Sequence, residues 1–246
     1  MVTTVVTRAG FALALGSALA LALAGLGHRW SWWGVAASFS VLRASAFAAA
    51  GVAVLALVGI LLAAIGRRWP ALVIAVVALA VALVVVWIPR NLQALARSVP
   101  PIHDISTDTD NPPVFVAITE RRRGAPNPAA YDGAEVAAQQ KKGYPDLGPV
   151  TLPMPPDRIL AAAEAAAGRL GWEIVAVVPA EGRLEATATT SWFAFKDDVV
   201  VRVTASGPGS RVDVRSKSRV GRSDLGANAK RIRAFLAELA ARLPTS

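Results

Sequence analysis

Arg211-Val-Asp-Val-Arg-Ser-Lys-Ser-Arg-Val220 decides how the C-terminal half of the chain is read, because its residues change character at every step. A β-strand sends successive side chains to opposite faces, so Val212, Val214, Ser216 and Ser218 share one side. Arg211, Asp213, Arg215, Lys217 and Arg219 share the other. The valines belong against a core, so the charged set is expected to face outward. This is the pattern of an antiparallel sheet with one covered and one open face.

Three more strands are predicted upstream, at 172–178, 183–191 and 198–205, separated by turn sequences at 179–182 and 206–210. Pro155-Pro156 opens a helix that runs to Leu170 and stops at Gly171. Within it, Ile159, Ala163, Ala166 and Leu170 keep the spacing of one buried helical face. A last helix is predicted over 224–243, with Leu225, Ala229, Ile232, Leu236, Leu239 and Leu243 as its apolar stripe and Ser223 or Asp224 as its cap. The order is helix, four-stranded antiparallel meander, helix. It defines an α+β domain over 150–246 with both helices on one sheet face.

The composition changes abruptly further upstream, since none of the 17 Asp and Glu residues precedes Asp104. Three uncharged apolar runs, 9–27, 44–66 and 69–88, are each long enough to cross a hydrocarbon layer of about 30 Å. They are read as three transmembrane helices forming an anchor over 1–99. Trp30, Trp32, Trp33, Trp69 and Trp87 fall at the ends of the runs, where indole rings prefer the interface. A cleaved signal peptide is the alternative for the first run, with Arg8 as its positive start and Ala18-Leu-Ala20 or Ala22-Leu-Ala24 as the cleavage-like site. Arg8, Arg67 and Arg68 flank one side and Arg29, Arg43, Arg90 and Arg97 the other, so the positive-inside rule leaves orientation open. The runs hold no ionisable residue, which argues against a proton relay or ion path.

The net charge of +9 is spread thinly, without the dense basic run of a nucleic-acid-binding protein, and the bilayer is the expected partner. The chain has no cysteine, which excludes disulfides, thiolate catalysis and cysteine-based metal sites. Between anchor and domain, 100–149 reads as an extended juxtamembrane and loop segment with one short helix near 134–141. Its His103, Asp104, Asp108 and Asp110 invite a metal reading, but turn and capping hydrogen bonds explain them better and no metal is assigned. Arg121, Arg122 and Arg123 read as a solvated or headgroup-facing basic patch.

The outward sheet face supplies the binding candidates Arg202, Arg215, Lys217 and Arg219, beside Glu185, Thr187, Thr189 and Thr204. Arginine offers a fork of donors matched to carboxylate or phosphate, so a small anionic ligand or a headgroup is the candidate occupant. The alternatives are a solvated face with cross-strand charge pairs, or a face covered by residues 101–149. Asp224, Asn228 and Arg231 stack at i, i+4 and i+7, and Arg231 can pair with Asp224 or reach Asp197 or Asp198, giving a structural polar network. Adjacent strand residues point to opposite faces, so Asp197 and Asp198 make no catalytic dyad. The chain lacks phosphate-loop, dinucleotide and hydrolytic motifs. No catalytic residue and no cofactor is assigned.

Phe195-Lys-Asp-Asp198, Arg215-Ser-Lys-Ser-Arg219, Gly221, Ser223-Asp-Leu-Gly226, Asn228 and Arg231 together resemble the hallmark of the domain-of-unknown-function 1499 family. Pro101-Ile-His-Asp-Ile-Ser-Thr-Asp108 and Tyr144-Pro-Asp146 are similar to that family's upstream portion. The resemblance implies an exported domain of a membrane-anchored protein with no established activity, and so a periplasmic domain on a multi-pass protein of the bacterial inner membrane. With no lipobox cysteine, the three helices take the place of a lipid anchor. The expectation is a non-enzymatic envelope protein whose soluble domain binds a partner or a small anionic ligand. The alternative is a membrane-bound enzyme of unknown reaction using Asp197 or Asp198 with Arg215, Arg219 and Arg231.

Overall fold

A computed structural model describes residues 2–243. The ends of the expected anchor and domain, at residue 1 and at 244–246, lie outside the described residues. The chain divides into two compact units.

The first unit comprises the residues up to Leu95 together with Ser191–Ala194. Its helices α1 (Val2–Arg29), α2 (Val35–Ile65) and α3 (Trp69–Ser98) are each long and apolar enough to cross a membrane. All three extend beyond the apolar runs that predict them, α1 through Val2–Arg8 at its start, α2 through Val35–Arg43 at its start and α3 through Pro89–Ser98 at its end. α1 buries Gly10, Ala14, Ser17, Leu21 and Ala24, and α3 buries Ala71, Ala75, Ala78, Ala82 and Val85. Small residues at every third or fourth position let helix backbones approach closely where hydrocarbon surrounds them.

The second unit comprises Ala96–Thr190 and the residues from Phe195 onward. The four expected strands are present as β3 (Glu173–Val178), β4 (Arg183–Thr189), β5 (Lys196–Ser206) and β6 (Gly209–Ser218), paired antiparallel in sequence order. Two three-residue strands join them. β1 (Asp104–Ser106) and β2 (Val150–Leu152) both pair antiparallel with β6, along different parts of its outer edge. The sheet therefore has six strands in place of the four predicted. Residues 100–149, expected as an extended connection, supply β1, a 3-10 turn at Ala117–Arg122 and α4 (Ala134–Gly143). Asp-Ile-Ser has almost no intrinsic strand preference, and only the open edge of β6 makes it a strand.

Helices α5 (Pro156–Arg169) and α6 (Ala227–Ala240) cover one sheet face. Val199, Val201 and Val203 of β5, Val212 and Val214 of β6 and Leu184 of β4 meet Ile159, Ala163, Ile232 and Phe235 there. α6 begins three residues later than predicted. Asp224 accepts from the amides of Gly226 at 2.8 Å and Asn228 at 2.7 Å, holding the chain in a turn before the first helical residue.

The opposite sheet face is the correction. It is expected to be open, yet Glu185, Thr187, Asp198, Asp213, Arg215 and Lys217 on it are all buried. Residues 104–132 fold back over it as a strap, the third of the arrangements that the sequence allows. The strap brings its own small apolar cluster, in which Phe115 and Ile118 pack on Val200.

Candidate functional site

The charged face of β6 is assembled by strand register. Asp104 of β1 lies opposite Lys217, and Ser106 opposite Arg215. The Asp104 carboxylate takes a two-pronged hydrogen bond from Arg215, Nε to Oδ1 and Nη2 to Oδ2, both at 2.8 Å. Lys217 Nζ stands 3.3 Å from Asp104 Oδ2 and donates to Asp132 Oδ1 at 2.5 Å and to the Ala130 carbonyl at 2.6 Å. Arg215 also donates to the carbonyls of Pro113 and Ala129, and its guanidinium lies over the rings of Phe115 and Tyr131. Arg215 is 1% exposed and Lys217 not at all, so both cations are removed from water and satisfied from within the chain. Burial, with Asp104 close by, pushes the Tyr131 hydroxyl up to about 12. At the rim, His103 Nε2 lies 3.1 Å from Asp132 Oδ2.

Asp198 on β5 gathers a second cluster. It accepts from Arg122 Nη1 at 2.7 Å, from Arg219 Nε and Nη2 at 2.9 and 2.8 Å, and from Thr187 Oγ1 at 2.7 Å. Arg122 is 3% exposed and also donates to the carbonyls of Asn127, Lys217 and Ser218. Burial pulls its guanidinium below the usual range, and Asp198 acts against that. A third cluster sets Arg202 and Arg211 against Asp108 and Asp213, at 2.8 to 3.1 Å. Burial pushes the Asp108 carboxyl up, but the amides of Asn111 and Asp110 and the two arginines outweigh it and hold the group below its ordinary value. Glu185 pairs with Arg183 and accepts the amides of Val116, Ala117 and Ile118, which closes the N-terminal end of the 3-10 turn.

A smaller polar set lies on the helix side. Arg231 Nη2 reaches Asp197 Oδ2 at 2.5 Å, and its Nη1 reaches Ser216 Oγ and Asn228. Asn228 is wholly buried, accepting from Ser216 Oγ at 2.7 Å and donating to the His103 carbonyl and Ser218 Oγ. Burial raises the Asp224 carboxyl above its ordinary value, with Asp197 adding to the effect, against the amides of Asn228 and Gly226 and the charge of Arg231.

The structure places Arg202, Arg215, Lys217 and Arg219 on one face and divides them among three clusters. Of the five residues expected to form one polar network, Asp197, Asp224, Asn228 and Arg231 gather on the helix side, while Asp198 lies on the strap side. Parity in β5 is the reason, and it keeps the two aspartates apart as expected. Sequence reasoning missed Asp104, Asp108 and Asp132 as counter-ions and placed Arg122 in solvent. The solvated reading of Arg121–Arg123 holds for the outer two, of which Arg123 is 79% exposed along its side chain, but not for the middle one. One signal was available, because two of the acids that suggested a metal, Asp104 and Asp108, are carboxylates that the arginine face requires. Asp110, the last of them, is exposed and pairs with Lys141 at 3.0 Å.

Residues 104–239 match the model of one protein family, described as "Protein of unknown function (DUF1499)". No curated protein matches the chain. Among solved structures, "Crystal structure of Ara h 8.0201" is similar at 15% identity, over 38% of this chain and 93% of that one. The TM-score is 0.29.

Proposed function

The chain belongs to the DUF1499 family of proteins of unknown function, and from that premise we propose that it is a non-catalytic, membrane-anchored binding protein of the bacterial cell envelope. Its soluble domain stands on the periplasmic side and engages an anionic partner or small anionic ligand. The contact is made at the rim of the charged sheet face, around Arg219, and not across the whole face.

The observation that carries this reading is a count of charges, cluster by cluster. Arg215 and Lys217 are balanced by Asp104 and Asp132, and Arg202 and Arg211 by Asp108 and Asp213. Among these clusters of the described residues, Asp198 is a single carboxylate set against two arginines, Arg122 and Arg219. Arg219 is the outer of the two, with 15% of its side chain exposed, and it lies close enough to Glu173, with Lys196 and Arg121, to lower that carboxyl's pKa. Arg121 holds Glu173 first and most strongly, by a side-chain hydrogen bond. Three cations around one exposed carboxylate leave a positive rim suited to phosphate or carboxylate. Arg202, Arg215 and Lys217 then belong to the frame that holds the rim in place. The catalytic alternative is disfavoured, since Asp197 and Asp198 lie on opposite faces of β5 and each is held by arginine.

The test is binding of the full-length protein, in detergent, to immobilised inorganic phosphate and to phosphatidylglycerol vesicles. Lys196→Ser, at an exposed position, is expected to weaken binding several-fold with the melting temperature nearly unchanged, and Arg219→Ser, which also strips two hydrogen bonds from the buried Asp198, to weaken binding and lower the melting temperature. Undiminished binding by both variants removes the rim from consideration. For the side of the membrane, alkaline phosphatase fused at the C-terminus is expected to be active, and a stable but inactive fusion refutes the periplasmic placement.

A further inference from the structure

The helical unit is packed tightly at one end and loosely at the other. A Cβ built on Gly59 of α2 would lie 3.1 Å from Thr7 Cγ2 of α1 and 3.4 Å from Ala75 Cβ of α3, so the three helices meet closely there. Toward the C-terminal ends of α1 and α3 the facing residues are Ala18 and Ala22 on one helix and Ala80 and Val84 on the other. Leu21 and Ile88 line the same region, and a cleft of about 720 Å³ remains between the two helices. Its lining is almost wholly apolar.

Trp192 fixes one wall of this cleft from within the same unit. Its Nε1 donates to the Ala22 carbonyl at 3.1 Å, and its ring lies so close to α1 that a Cβ on Gly25 would stand 2.3 Å from Cδ1. Val84 also lines a neighbouring groove of about 470 Å³ on α3, with Leu83, Trp87 and Arg90. Arg90 is exposed and has no hydrogen-bonding or ionic partner among the described residues. It can have no carboxylate within its own unit, because neither the chain up to Leu95 nor Ser191–Ala194 contains an acid.

We propose that this cleft and groove form one lipid site, holding an acyl chain of an anionic phospholipid along Ala22, Ala80 and Val84 with its phosphate on Arg90. An open apolar cleft offers water no hydrogen bonds, and its walls lack dispersion partners until hydrocarbon lies against them. The volume lies within the range of about 300 to 1,000 Å³ usual for small-ligand sites. Arginine at the depth of the headgroups, unpaired by protein, selects negative charge. Trp87, one turn before Arg90, sits where an indole meets the glycerol region. The site depends on the helical unit alone and stands or falls independently of the rim on the soluble domain.

The full-length chain, purified and exchanged into nanodiscs of phosphatidylglycerol and phosphatidylcholine in equal amounts, would be released for native mass spectrometry. It is expected to carry a single phosphatidylglycerol in preference to phosphatidylcholine. Ala80→Phe fills the cleft and is expected to lower the lipid-bound fraction about tenfold, equivalent to about 1.4 kcal/mol. Ala22→Leu, a smaller filler, is expected to show the same effect in part if Ala80→Phe fails to fold. Arg90→Gln, on the exposed face of α3, is expected to keep a lipid but lose the preference for the anionic one. A wild-type chain that retains no lipid, or an Arg90→Gln variant with unchanged preference, overturns the proposal. So does a lipid-free dimer, which would mean that a second copy fills the cleft.

Discussion

The two faces of the central sheet are both buried, but by opposite means. One is covered by α5 and α6 with hydrocarbon, on Val199, Val201, Val212 and Val214. The other is covered by the strap 104–132 with ion pairs, on Asp198, Arg215 and Lys217. Hydrophobic burial is non-directional and tolerates exchange among similar shapes. A buried ion pair tolerates no unpaired partner, because the remaining charge keeps its full desolvation cost. The helix face is therefore expected to lose stability by degrees and the strap face by whole clusters. The strap also explains how a domain can hide so many charges. They are satisfied where they lie and bring no open binding surface with them.

The sharpest way to break this comparison is Asp104→Ala, which leaves Arg215 and Lys217 buried without their shared carboxylate. The expected loss is about 3 to 5 kcal/mol, against a total stability of about 5 to 15 kcal/mol for an ordinary domain. Urea unfolding of the full-length protein, followed by near-ultraviolet circular dichroism, should show the soluble domain disordered or its midpoint greatly reduced. A midpoint equal to wild type would mean that the ion pairs do not hold the strap. Ile232→Ala tests the apolar face and is expected to cost about 2 to 5 kcal/mol through lost burial and a residual cavity. Its transition should stay cooperative with an unchanged denaturant slope. Asn228→Ala comes next. It removes a wholly buried amide that serves Ser216, Ser218 and the His103 carbonyl, and about 1 to 3 kcal/mol is expected for the groups left unpaired.

The smallest effects are those of pH, and they carry opposite signs on the two faces. The folded pKa of Asp108, on the strap side, is depressed. Its contribution is therefore present above the ordinary value of 3.8 and lost as pH falls through the lower folded value. The folded pKa of Asp224, on the helix side, is raised. Its contribution is full below 3.8 and lost as pH rises through the higher folded value. Asp108→Asn should accordingly flatten the acid limb of a plot of urea midpoint against pH. Asp224→Asn should reduce the decline on going from acid toward neutral pH. Two variants that move the curve in the same direction would show that the two carboxylates do not sit in contrasting surroundings.

Much of this architecture is legible in the order of residues. The three apolar runs, the meander of β3 to β6 and the faces of α5 and α6 follow from periodicity, because each element's own sequence says which side is apolar. Parity in β5 separates Asp197 from Asp198, and parity in β6 places Arg215 and Lys217 together. The helical spacing of Asp224, Asn228 and Arg231 puts them in one row. Arg231 has three aspartates within reach, Asp224, Asp197 and Asp198, and packing chose Asp197.

What residues 104–132 do is the part that only the tertiary structure decided. Asp-Ile-Ser is too short and too polar to announce a strand, and Arg122 sits between two arginines that remain in solvent. Each acquires its role from groups more than 75 positions away, such as Asp198 for Arg122 and Lys217 for Asp104. Local sequence specifies a period and a face, since those depend on backbone geometry within a few residues. Whether a charged face meets water or a complementary set of charges depends on which distant segment returns to it. That choice is settled by the desolvation of the whole cluster, a quantity that no single segment carries.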